Sequence, residues 1–211
     1  MVKQPLVVAS IPIRNVKDLE IALSIKDADY VELRLDYYSS PERIDYTMFA
    51  NGRFIATLRE KSEGGVNSFD PNVKKSLIML WRKLGILYDV EASFIEKYNV
   101  EYNNAIVSIH ILSEPKNIIE VENKVIKYLD KAFAVKIAVV PFKGYKSFLA
   151  KLLELGENVA VMPMNVEPRE RIAFALLGSK LVYGYVTEPT ANGQMHYKKI
   201  REVLNLFENT N

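Results

Sequence analysis

The chain has 211 residues, 49% of them apolar, with 28 basic against 26 acidic side chains for a net charge of +2. It is long enough to fill one large core or two small ones, and its balanced charge excludes the strong field that nucleic acid or an anionic membrane would select. The absence of cysteine removes thiol catalysis, thiolate metal sites and disulfides together.

Met1-Val2-Lys3-Gln4-Pro5 carries no signal-peptide pattern, and no apolar stretch reaches membrane-spanning length, so a cytoplasmic location is expected. A first strand is predicted over residues 6–11. Pro12-Ile13-Arg14 follows it, where a dinucleotide-binding protein would carry a glycine-rich loop. Asn15 is placed to cap a helix continuing through Leu19, Leu23 and Ile25. Strands follow over residues 30–36 and 54–59. Asp70-Pro71 reads as a cap with proline in the first helical position, opening a helix through Leu77, Leu80 and Trp81. The fourth and fifth strands cover 86–91 and 105–110. Glu114-Pro115 is expected to begin a long helix with Ile118, Val121, Val125, Ile126 and Leu129 on one stripe. The sixth strand (132–140), a helix (144–155), the seventh strand (158–164), a helix (168–177), the eighth strand (181–186) and a last helix (197–207) complete the pattern.

Eight strand–helix units in strict alternation point to an α/β chain folded as a (β/α)₈ TIM barrel. A doubly wound open sheet is the competing architecture and usually needs fewer units. No Pro/Gly/Ser-rich linker divides the chain, so residues 1–211 are read as a single catalytic domain without a long amino-terminal extension. Nothing obvious ahead of the first strand is left to plug the lower end of the barrel.

Polar residues on these strands mark a site. Lys136 lies inside the apolar run Ala132-Phe133-Ala134-Val135-Lys136-Ile137-Ala138-Val139-Val140. A lysine there either snorkels to water or becomes a desolvated amine with a lowered pKa, the nucleophile that Schiff-base chemistry needs. In Val31-Glu32-Leu33-Arg34-Leu35-Asp36, period two puts Glu32, Arg34 and Asp36 on one face. Arg59 ends the third strand, Asp89 and Glu91 the fourth and His110 the fifth, where active sites of this fold gather. His110, one strand from Lys136, suits a general base. His196 opens the last helix and reads as a surface or capping residue. Glu32, Asp89 and Glu91 are candidates for magnesium, but their alternation with Arg34 and Arg59 favours internal ion pairs. No metal site is expected.

Together these segments resemble the type I 3-dehydroquinate dehydratases over nearly the whole chain. Glu32-Leu33-Arg34-Leu35-Asp36 is similar to the family's Glu-x-Arg-x-Asp strand. Arg59 with Glu63-Gly64-Gly65 resembles its Arg-x-x-x-Glu-Gly-Gly segment. Ser108-Ile109-His110 and Val135-Lys136-Ile137-Ala138 resemble the segments of the base and the imine lysine. Met162-Pro163-Met164 resembles the paired-methionine strand, and Arg171 falls where the family has its carboxylate-binding arginine. Gly178-Ser179, Tyr183-Gly184 and Thr190-Ala191-Asn192-Gly193-Gln194 resemble the last strand and closing loop. Three departures stand out: the Met164–Arg171 spacing is one residue short, Tyr183 replaces a frequent phenylalanine, and Asn192 a frequent proline.

The resemblance implies a lyase of the shikimate pathway that dehydrates 3-dehydroquinate to 3-dehydroshikimate through an imine on Lys136. It implies His110 as base and acid in turn, with Glu63 holding its tautomer, and Arg171 on the substrate carboxylate. Glu32, Arg34, Arg59, Thr190 and Gln194 would position hydroxyls, and Met162, Met164 and Tyr183 would form an apolar wall. The small-molecule substrate is the expected partner, without nucleic acid, membrane or cofactor; a homodimer is left open. Two alternatives stay open: a class I aldolase using the same lysine on a sugar-like substrate, and a non-catalytic barrel binding an anionic metabolite through Arg34, Arg59 and Arg171.

Overall fold

Eight short runs of mostly apolar, β-branched residues become eight parallel strands. They are β1 (Leu6–Pro12), β2 (Tyr30–Arg34), β3 (Phe54–Thr57), β4 (Leu87–Glu91), β5 (Ile106–Ile111), β6 (Ala134–Val139), β7 (Val159–Pro163) and β8 (Leu181–Tyr185). The computed structural model describes residues 4–208; the opening residues 1–3, read above as free of a leader pattern, and residues 209–211 lie outside that description. The strands follow the order β7-β6-β5-β4-β3-β2-β1-β8. At the β7–β8 seam the Lys180 N–H donates to the Val159 carbonyl at 2.9 Å, and the Ser179 hydroxyl accepts the Val161 N–H at 2.9 Å. The sheet therefore curls into a nearly closed TIM barrel.

Among the described residues seven helices pack outside: α1 (Val16–Ser24), α2 (Pro71–Lys83), α3 (Ala92–Tyr98), α4 (Ile118–Leu129), α5 (Tyr145–Leu153), α6 (Pro168–Leu176) and α7 (Tyr197–Glu208). Asn15 Oδ1 accepts the Lys17 N–H at 2.9 Å, and Asp70 Oδ1 the Asn72 N–H at 2.7 Å, so both predicted caps start their helices. Among the described residues no helix is long and apolar enough to cross a membrane.

The strict alternation breaks once. Between β2 and β3 the chain makes three 3₁₀ turns, Leu35–Tyr37, Pro41–Arg43 and Tyr46–Phe49, in place of an α-helix. Ser40-Pro41 and the cap from Asp45 Oδ1 to the Thr47 N–H (3.0 Å) divide the segment into pieces too short for a helix. Tyr46 and Phe49 still bury their rings, Tyr46 edge-on to Trp81 at 5.7 Å. The second strand also ends at Arg34, so Asp36 belongs to a turn and not to the strand face. The long helix expected from Glu114-Pro115 begins at Ile118, because Asn117 supplies the cap, its Oδ1 accepting the Ile119 N–H at 3.0 Å. The seven-residue α3, not singled out in the sequence, follows β4 directly and ends at Asn99 in the left-handed region (φ 51°).

Two apolar layers result. The larger lies between strands and helices. The smaller fills the barrel with Val8, Ile55, Leu87, Ile106, Ala134, Ala160 and Leu181. The lower end is closed by residues at or just before the strand starts: Tyr30 meets Phe133 edge-on at 5.6 Å, and Lys180 Nζ sits 4.0 Å from the Phe133 ring centroid.

Candidate active site

Strand pleat decides what faces the barrel. Register pairs Ser10 with Glu32, Thr57 with Asp89, Ser108 with Lys136, and Ala138 with Met162. These polar groups meet at the strands' carboxyl ends, above the apolar filling. One cleft there is lined by Lys136, His110, Glu32, Arg34 and Arg59 from the first half of the site, and by Met162, Met164, Arg171, Tyr183, Thr190 and Gln194 from the second. Ala138 and Ala191 complete its wall. Glu63 stands outside the cleft, behind His110.

Lys136 is 5% exposed, and its ammonium pairs with Asp89. The same carboxylate receives Arg59 Nη2 and Ser108 Oγ, both at 2.7 Å. Arg59 Nη1 in turn donates to Glu91 at 2.8 Å and to Ser108 Oγ at 2.6 Å. The other oxygen of Glu91 is taken by Lys74 Nζ at 2.5 Å, and Lys74 also reaches Glu60 at 2.8 Å. A chain of alternating charge, buried as far as Lys74, thus runs Lys136–Asp89–Arg59–Glu91–Lys74–Glu60. Burial pushes Lys136 below the ordinary lysine range, and Arg59 adds to that push while Asp89 opposes it. Burial alone would raise Asp89, but Arg59 and Lys136 outweigh it and hold the carboxyl well below its usual range. Asp89 therefore keeps a cationic partner even when Lys136 loses its proton. Of the carboxylates weighed as magnesium ligands, Asp89 and Glu91 spend their oxygens on these cations, and Glu32 spends its own on two hydroxyls.

His110 Nδ1 lies 2.8 Å from Glu63 Oε2, and the other Glu63 oxygen accepts the Ser93 hydroxyl. Burial, with Arg59 adding, lowers the imidazole to about 4, against the pull of Glu63. Burial would raise Glu63, yet its hydrogen bonds to His110 and Ser93 leave it below the usual carboxylate range. At neutral pH the pair is therefore carboxylate and neutral imidazole. Gly65 makes this placement possible, because a Cβ there would sit 2.2 Å from the Arg59 carbonyl.

Glu32 is gripped by Ser10 Oγ at 2.5 Å and Thr57 Oγ1 at 2.9 Å. Arg34 forms a two-pronged pair with Asp36, at 2.8 and 2.9 Å; the turn after β2 brings that carboxylate back onto the guanidinium. Arg171 differs from the other arginines. It is buried, its Nη2 donates to the Asn192 carbonyl at 2.8 Å, and its Nε has no acceptor. Burial with no carboxylate beside it lowers Arg171 to about 10. The short Met164–Arg171 spacing does not keep it from the cleft.

The 187–196 segment crosses the mouth. Gln194 Oε1 accepts the N–H groups of Thr190 at 2.7 Å and Ala191 at 3.1 Å, so its carbonyl ties the loop and only its amide NH₂ remains for a ligand. Thr190 Oγ1 meets Ser10 Oγ at 3.0 Å, and Arg14 pairs with Glu188 at the rim. Gly193, at φ 82°, passes so close to the Val166 carbonyl that a Cβ would lie 2.2 Å from it. His196 accepts the Lys198 N–H at 3.3 Å and caps α7 away from the cleft.

Ser10, Thr57, Ser108, Ser93 and Lys74 join the site in addition to the residues expected from the sequence. The first three fall on inward positions of strands whose neighbours were already marked, which is a usable signal. Ser93 and Lys74 sit on helices, and nothing in their local sequence separates them from surface residues.

The Type I 3-dehydroquinase family model matches residues 7–211. The chain is 44% identical to the 3-dehydroquinate dehydratase of Saccharolobus solfataricus over 208 residues, covering 96% of this chain and 94% of the relative. It is 43% identical to that of Sulfolobus acidocaldarius over 204 residues, covering 95% and 93%. In fold it is similar to a type I 3-dehydroquinate dehydratase from Clostridium difficile, solved with covalently modified comenic acid. That match has a TM-score of 0.78 and 23% identity, and covers 99% of this chain and 94% of the other. A 3-dehydroquinate dehydratase from Geobacillus kaustophilus matches with a TM-score of 0.74 and 20% identity, covering 99% and 93%.

Proposed function

Because the chain belongs to the type I 3-dehydroquinase family, we propose that it dehydrates 3-dehydroquinate to 3-dehydroshikimate in the shikimate pathway, through a Schiff base on Lys136. One observation carries the residue assignment. The buried amine, the neutral imidazole and a buried guanidinium without a carboxylate line the same cleft. These are a nucleophile, a base and an anchor for a carboxylate.

The reaction follows from those groups. Neutral Lys136 attacks the C3 ketone, and loss of water leaves a protonated imine, an electron sink next to C2. His110 takes the C2 proton through Nε2, since Nδ1 is engaged by Glu63. The resulting enamine expels the C1 hydroxyl, which leaves as water with the proton that the imidazolium returns. Hydrolysis of the imine frees the product and the amine. Glu63 holds the tautomer and steadies the imidazolium, as a carboxylate does in a triad. Arg171 binds the substrate carboxylate as a planar fork. Glu32, Arg34 and Arg59 position hydroxyls, Met162 and Met164 form the apolar wall, and the 187–196 segment excludes water.

Residues 1–211 act as a single catalytic domain, whose described part is the barrel. A cytoplasmic location agrees with a biosynthetic reaction on a small polar acid. The exposed Leu112, Ile118 and Ile119 beyond β5 offer an apolar surface for a homodimer. The test of function is turnover: incubation with 3-dehydroquinate should generate the conjugated enone of the product, read by ultraviolet absorbance and mass. Carbon–carbon cleavage products, or unchanged substrate, would overturn the dehydratase reading.

A further inference from the structure

Tyr183 stands inside the barrel on β8, beside Val8 of β1, and is 4% exposed. Its ring centroid lies 5.0 Å from Lys136 Nζ, and its hydroxyl is fully buried without a hydrogen-bond partner. That is unusual, because a buried hydroxyl almost always finds an acceptor. The acceptors around it are already engaged. Both Glu32 oxygens are taken by Ser10 and Thr57, and both Asp89 oxygens by Lys136, Arg59 and Ser108. Burial, then the negative charge of Glu32 and Asp89, raises the phenol well above its ordinary range, so it stays protonated and remains a donor. A donor carried by a ring that packs against the amine, with the neighbouring carboxylates already engaged, is matched by an acceptor that the ligand brings.

We propose that the Tyr183 hydroxyl donates a hydrogen bond to the oxygen on the ketone carbon that Lys136 attacks. This rests on the imine mechanism above and adds a group to it. As the Nζ–C3 bond forms, the carbonyl π pair moves onto that oxygen, and the hydrogen bond strengthens as charge builds there. Tyr183 keeps its own proton. The proton released by Nζ ends on the oxygen, giving a carbinolamine whose C–O bond then breaks to yield water and the imine. Tyr183 is thus a contact for the imine-forming step, beyond the apolar wall that its ring supplies.

Tyr183→Phe tests this, since it deletes the oxygen and keeps the ring over Lys136. Rapid mixing with 3-dehydroquinate, quenching into borohydride and mass analysis give the rate at which the adduct forms. The variant should form it roughly 10- to 100-fold more slowly than the unaltered enzyme. Conversion of the imine once formed should proceed at the original rate. The ligand-free variant should melt no lower than the parent, because the hydroxyl it loses has no partner there. Adduct formation at the parent rate, a rise in KM alone, or a lowered melting temperature would each overturn the proposal. If the unaltered enzyme forms no adduct, the imine reading fails, and this inference with it.

Discussion

Lys74→Met removes the far end of the buried charge chain and keeps most of the side chain's volume. Lys74 is 1% exposed, and its ammonium is shared between Glu91 at 2.5 Å and Glu60 at 2.8 Å. It also lies 4.5 Å from the Phe94 ring centroid. Glu60 is partly exposed and can turn to water, but Glu91 cannot. Its carboxylate would keep only Arg59 and the Glu60 N–H, with one oxygen stranded away from solvent. Breaking a buried pair on one side costs about 3–5 kcal/mol. For a chain of this length each kcal/mol moves Tm by about 2–4 °C, so the variant should melt roughly 6–20 °C lower. The pH dependence follows from the sign of the Glu91 shift. Burial works to raise it, but Arg59 and Lys74 hold it below its ordinary value. That stabilisation is present above the unfolded carboxylate pKa and is lost as pH falls through the folded one. The gap between parent and variant should therefore narrow toward acid. Adding Glu91→Gln removes the stranded charge, and the double variant should be less destabilised than the two single changes summed. Urea unfolding and thermal melts read all of this. A Lys74→Met protein within about 1 kcal/mol of the parent would refute the reasoning, since a buried pair broken on one side costs several times that.

The remaining predictions concern the cleft. With His110 lowered to about 4, its imidazole, followed by NMR in the ligand-free enzyme, should stay neutral well below pH 6.5 and gain its proton only as pH drops through about 4. A midpoint near 6.5 would place the imidazole in an ordinary environment. Arg171→Ala should weaken substrate binding roughly 10- to 100-fold with less effect on kcat, as expected when a charge-assisted contact is lost. It should not destabilise the ligand-free protein, because the guanidinium is buried without a counter-charge; a large drop in Tm would contradict that.

Much of this architecture can be read from residue order because parallel strands covered on both faces carry near-continuous apolar runs. All eight strands lie within a residue or two of their predicted bounds. Their inward polar positions are legible for the same reason, since Glu32, Asp89 and Lys136 break runs that packing alone would keep apolar. The segment after β2 fails differently. Buried Tyr46 and Phe49 imitate a helical stripe, while Ser40-Pro41 and Asp45 cut it into 3₁₀ turns. Glu114-Pro115 has the local form of a helix start, and the better-placed Asn117 wins. Partners supplied by another element stay invisible. The grip of Lys74 on Glu91 depends on how α2 packs against β4, and that of Ser93 on Glu63 on where α3 begins. The same holds for Tyr183: its ring reads as core, and the missing partner for its hydroxyl emerges only when the neighbouring carboxylates are seen to be occupied.

The central claim is that Lys136 becomes covalently attached to the substrate carbon skeleton. Treating the enzyme with 3-dehydroquinate and borohydride, then mapping the modified peptide by mass, tests it most directly. One reduced adduct per chain should form on Lys136, be retained in His110→Ala, whose turnover falls by roughly 10²–10⁴-fold, and be absent from Lys136→Ala. No adduct, or an adduct on Lys143 or Lys146, would contradict it.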